Sequence, residues 1–123
     1  MKYLIMIHSN PASRARWETL TDEQRMEFGR AHYALHDALL DSGDLVASEG
    51  LPEPSLSTYV SVRDGQIAAT DGPFAEVKEY LAGFYLVDVP SLDDAVAIAA
   101  RVPDAGFGEV EVRPVFDRTL LPE

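Results

Sequence analysis

The sequence predicts an α+β fold: a ferredoxin-like split βαβ sandwich with an inserted β-hairpin. Three observations carry this. Strand-like and helix-like segments follow one another as β-α-β-(β-β)-β-α-β, and removing the central pair leaves the split βαβ order. Two stretches carry apolar residues at the three- and four-residue spacing of a helix stripe. Asp64-Gly65 stands between two short alternating segments, a strong two-residue hairpin signal.

Each element has its own local cause. Residues 3–8 form a nearly continuous apolar run, as expected of a strand covered on both faces. Ser9-Asn10-Pro11 breaks it, and residues 12–20 show no clean period, so they are expected to wrap the surface with Trp17 tacked onto the body. Thr21 and Gln24 make a capping box. The helix they open runs to about Ser42, stops at Gly43 and places Phe28, Ala31, Leu35, Ala38 and Leu39 on its core stripe. Residues 44–50 read as the second strand, and Leu51-Pro52-Glu53-Pro54 as a stiff loop. Residues 57–63 alternate, and residues 66–70 return as the other arm of the hairpin.

Asp71-Gly72-Pro73 then reads as a rigid turn, with an acid able to bond nearby N–H groups, a permissive glycine and a fixed proline φ. Residues 81–89 form the most apolar strand. Ser91 caps a second helix with Leu92, Ala95, Val96, Ala99 and Val102 as its stripe, ended by Pro103. Residues 108–116 are the last strand, where Pro114 marks an edge or a bulge. Residues 117–123 look loosely held.

The 123 residues suit a single domain spanning 1–123 with a real core, and 46% hydrophobic content argues against disorder. Ten basic against 21 acidic residues give a formal charge of -11, which makes nucleic acid and anionic membranes poor partners. No cysteine is present, so disulfides, thiolate nucleophiles and cysteine-based metal sites are excluded. No run approaches a membrane span, and no signal-like segment opens the chain, so a cytoplasmic protein is expected.

Two helices on one side cannot cover both faces of the sheet. Yet residues 3–7 and 84–87 are bulky on both. A second copy of the chain is the simplest cover, so a homodimer is expected.

The run Asp71-Gly72-Pro73-Phe74-Ala75-Glu76 with Lys78-Glu79, then Gly83-Phe84-Tyr85, Ser91 with Asp94-Ala95, and Glu111-Val112-Arg113-Pro114-Val115, resembles the DGPF-domain branch of the YCII-related family. The resemblance covers nearly the whole chain. It implies a dimeric α+β barrel, in which two ferredoxin-like sheets pack face to face. It also implies two functional settings: a cofactor-independent small-molecule enzyme using a His/Asp pair in a cleft, or a non-catalytic ligand-binding or regulatory accessory module linked to sigma factors.

His32 stands where that family carries its helix histidine, although Tyr33 replaces the usual leucine after it. The family's Asp-Pro after the second helix is replaced by Val102-Pro103, which leaves Asp71 as the available acid. His32 and Asp71 are therefore the catalytic candidates, histidine being poised near neutral pH. The alternative is a helix-edge histidine that only bonds a carbonyl. His32 and His36 have the i,i+4 spacing of a metal pair but no third fixed ligand, so neither a metal nor another cofactor is expected.

Five further residues are candidate ligand contacts. His8 ends the first strand, where it either faces the same cleft or, more simply, is a solvated strand end. Tyr59 and Tyr85 are wall residues, with core or interface packing as the default. Phe74 follows the rigid turn, where it is either core or wall. Arg113 either binds a carboxylate bidentately or pairs with Glu76 or Glu79 across a dimer seam. Glu76, Lys78 and Glu79 read more simply as a solvated, self-paired charge cluster. No phosphate loop or nucleophile elbow is present.

Overall fold

The structure is a computed structural model that describes residues 1–72, 78–108 and 110–120. Strand β1 (Lys2–Ser9) is followed by helices α1 (Pro11–Glu18) and α2 (Asp22–Ser42), then by strands β2 (Leu45–Gly50), β3 (Thr58–Arg63), β4 (Gln66–Asp71) and β5 (Tyr80–Asp88). Helix α3 (Leu92–Ala99) and strand β6 (Val110–Pro114) complete it. Strands β2-β5-β1-β6 make a four-stranded sheet in that order, with every pairing antiparallel. This is the split βαβ sandwich expected, and β3-β4 forms the expected hairpin as a separate two-stranded sheet.

Period-two alternation sorts the sheet into two faces. Tyr3, Ile5 and Ile7 of β1 join Tyr85 and Val87 of β5 in one buried cluster. Val89 after β5, Leu35 and Leu39 of α2, and Ala95, Ile98, Ala99 and Val102 from α3 and the residues after it complete that cluster. Leu4 and Met6 occupy the alternate positions of β1, opposite Leu86 and Phe84. Met6 is buried, yet it lies outside the core cluster.

The helix ends follow from their caps. Thr21 Oγ1 accepts the Gln24 N–H at 3.1 Å while Gln24 Oε1 accepts the Thr21 N–H at 2.8 Å. Gly43 closes α2 in the left-handed region at φ 82°.

The segment expected to wrap the surface is instead helix α1. Asn10 and Ser13 form a second capping box, with reciprocal bonds of 2.9 and 3.0 Å, and Pro11 takes the first turn. No α1 residue is buried, so no apolar stripe marks this helix. The last strand is shorter than expected. It is an edge strand, in which Pro114 pairs with Tyr3, and an edge tolerates the missing N–H.

Among the described residues no helix is long and apolar enough to cross a membrane.

Candidate active site

His32 lies midway along α2, one turn after Phe28 and one before His36. Tyr85 comes up from β5 beneath it, and Asp104 comes from the short 3-10 turn Pro103–Gly106 that packs on α2. These elements, with the end of β2, border a half-open cavity of about 630 Å³ whose lining includes His32, Tyr85, Asp104, Phe28, His36 and Glu49. Gly50 and Gly83 pair across β2 and β5 at its edge. A Cβ on Gly83 would lie 3.1 Å from the Glu49 carbonyl oxygen, so this part of the wall is bare backbone packed close.

Both imidazole nitrogens of His32 are engaged. Nε2 lies 2.5 Å from Asp104 Oδ1, and Nδ1 lies 2.7 Å from the Tyr85 hydroxyl, which also reaches the His32 carbonyl at 3.3 Å. His32 and Asp104 are each about a quarter exposed (26%), so the pair is half-buried and opens to the cavity. Tyr85 is 3% exposed. Burial pushes its phenol up to about 12, and the negative charge of Asp104 adds to the effect, so the hydroxyl keeps its proton at any physiological pH. A chain of aromatic contacts leads outward from the site. Phe28 meets the His32 ring at 5.2 Å and Trp17 at 5.3 Å, both edge-on, and the Arg25 guanidinium stacks over Trp17 at 5.2 Å.

Of the residues singled out in the sequence, the structure brings His32 and Tyr85 together. Their third partner is Asp104, not Asp71. Asp71 ends β4 on the hairpin, opposite Thr58, and is exposed; among the described residues it does not line the cavity. Tyr59 also belongs to the hairpin, with its ring against Gly72. Phe74 lies outside the described residues, as does Glu76.

His8 and Arg113 belong to a different cluster. His8 Nε2 lies 2.9 Å from Glu111 Oε1, with Glu79 at 4.0 Å from its other nitrogen, and Arg113 holds Glu111 Oε2 through Nε and Nη2 at 2.9 and 2.6 Å. The hydrogen bond from His8, and then that from Arg113, hold the Glu111 carboxyl below the usual glutamate range. Arg113 thus pairs with the glutamate two residues before it on its own strand. Among the described residues neither His8 nor Arg113 lines the cavity, and no three His, Asp or Glu converge as metal ligands.

Asp104 is the candidate site residue that the sequence did not single out. The acid expected before Pro103 stands one residue after it, and the 3-10 turn that begins at Pro103 swings it back over α2. A model of the YCII-related domain matches residues 1–119. The chain belongs to the YCII-related family.

The chain is similar to an uncharacterized protein of Rhizobium meliloti (strain 1021), 32% identical over 117 residues, with 94% of this chain and 92% of the relative covered. Among solved structures, the YCII-related chain is similar to the 5-chloro-2-hydroxyhydroquinone dehydrochlorinase of Burkholderia phenoliruptrix AC1100, solved with 2,5-dihydroxybenzoquinone. The TM-score is 0.53 at 14% identity over 97% of both chains, a likeness in fold.

Proposed function

We propose that this YCII-related protein is a small-molecule enzyme that moves protons with the His32–Asp104 pair and needs no resident cofactor. The observation carrying this is the short Nε2–Oδ1 contact at the wall of a cavity large enough for a one-ring substrate. A carboxylate only accepts hydrogen bonds, so Asp104 fixes the Nε2–H tautomer and counters the charge of the imidazolium that forms when His32 takes a proton.

The walls narrow the substrate. Phe28, Tyr33 and Tyr85 offer flat aromatic surface, and Glu49 and Asp104 can accept bonds from hydroxyl groups, whereas no Lys or Arg is among the described lining residues. An uncharged, hydroxylated ring compound suits that environment better than an anion. Proton removal from such a ring leaves a delocalised anion. Returning the proton elsewhere gives isomerisation, and losing a leaving group gives elimination. The dehydrochlorinase of similar fold acts on a compound of this hydroxylated-ring class.

The chain is also proposed to work as a homodimer. Supporting this are the helix-free positions Leu4, Met6, Phe84 and Leu86 and the apolar side of the exposed hairpin.

Resorcinol in D₂O tests the chemistry, with ring deuteration followed by proton NMR. Wild type should accelerate exchange by about 100-fold or more over the protein-free solution, the range of positioned acid–base catalysis. His32→Asn and Asp104→Asn should lose that acceleration while keeping their melting temperatures. Wild-type exchange no faster than that of His32→Asn would defeat the enzyme reading. Resorcinol bound without exchange would leave a ligand-binding accessory module.

A further inference from the structure

Neutral imidazole has one N–H and one lone pair. With Asp104 on Nε2 fixing the N–H there, the only ring position able to take a proton is Nδ1, and Nδ1 faces the Tyr85 hydroxyl at 2.7 Å. A substrate in the cavity therefore has no open ring nitrogen to meet. What it can meet is Tyr85, which lines the same cavity.

We propose that Tyr85 is the residue through which protons enter and leave His32, as the outer member of an Asp104–His32–Tyr85 relay. The inference rests on the acid–base reading of the His32–Asp104 pair. The hydroxyl has two acceptors within reach, which is what such a role requires. While His32 is neutral, Tyr85 O–H donates to Nδ1. Once Nδ1 carries a proton, it must donate to Tyr85 Oη, and the phenol hydrogen turns to the His32 carbonyl at 3.3 Å.

In the forward step the substrate C–H bond breaks and its proton bonds to Tyr85 Oη as the Tyr85 O–H bond breaks and that proton bonds to Nδ1. The electron pair stays on the substrate as the delocalised anion, and imidazolium is left beside the Asp104 carboxylate. The reverse transfers return the proton. Tyr85 never becomes a free phenolate, in keeping with its buried, high-pKa phenol. The relay also gives the hydroxyl of Tyr85, whose ring packs in the core cluster, a use beyond packing.

Protein labelled with ¹⁵N-histidine and ¹³Cζ-tyrosine tests this without any ligand, with assignments from His32→Asn and Tyr85→Phe. Tyr33, His36 and Glu49 line the same cavity, so their titrations need separating from that of His32. Neutral His32 should carry its proton on Nε2, and the Tyr85 Cζ signal should move with the same midpoint as His32. Tyr85→Phe should keep the fold, bind resorcinol as wild type does and lose at least tenfold of the ring-exchange rate. A proton on Nδ1, a Tyr85 signal that ignores the His32 titration, or undiminished exchange in Tyr85→Phe would each overturn the relay. The NMR measurements can overturn the relay even where resorcinol exchange is absent, and the exchange rate of Tyr85→Phe separates a relay from a hydrogen bond that only holds the ring, so failure of the relay and failure of the enzyme reading are told apart.

Discussion

At Tyr85 the direction of a single proton equilibrium predicts a property of the whole fold. The folded protein holds this phenol's proton up to about pH 12, whereas an unfolded chain releases it near 10. Between these values the folded state binds more protons than the unfolded one, so stability present below pH 10 is lost as pH rises toward 12. Urea melts at pH 9, 10 and 11 should show that decline, and Tyr85→Phe should flatten it. At Gly72 the reason for glycine differs from the one the Asp-Gly-Pro turn suggests. Its φ is not positive; the positive-φ glycines are Gly43 and Gly65. A Cβ at Gly72 would fall 1.9 Å from Cε2 of Tyr59, so the residue is small because a ring lies on it. His32 was legible because a histidine at the edge of a helix stripe, in a family-like place, points to itself. Asp104 was not, because its approach depends on how a 3-10 turn folds back, and no periodicity encodes that.

Elements were legible where they carry their own start and stop signals. Thr21 with Gln24, Gly43, Asp64-Gly65 and Ser91 each act within a few residues, and all stand at the ends foreseen for them. Asp64 and Gly65 take φ 50° and 74°, as a tight hairpin joining right-twisted strands requires. Helix α1 leaves no hydrophobic period because it buries nothing; its signal in the sequence is the cap formed by Asn10-Pro11 and Ser13. The cap of α2 gives an element-scale test. Gly43 at φ 82° has open space around its Cα, so Gly43→Ala adds no clash, only left-handed strain. It should cost about 1–2 kcal/mol in a denaturant melt, with the cavity and its proton chemistry unchanged.

On the scale of the molecule, burial and exposure are out of balance. Val62 stands opposite Ile67, and Val60 opposite Ala69, on a hairpin where every described position is exposed; Val60, Val62 and Ile67 are 66%, 64% and 78% open. A two-stranded hairpin alone in water is marginal. Together with Leu4 and Phe84 on the sheet's helix-free side, this argues for association with a second copy. Sedimentation at micromolar concentration should therefore give about twice the 13.5 kDa chain mass, and a stable monomer would end the dimer proposal. The order of the strands could be read from the chain, but what closes the second face depends on a surface, and one chain's sequence holds only half of it. The aromatic contacts running from Trp17 through Phe28 to His32 have a practical side. Trp17 is the sole indole in the chain. Its emission, excited at the red edge where tyrosine is silent, comes from one place, a single ring away from the cavity, so intrinsic fluorescence offers an unlabelled optical gauge of whether that cavity is filled.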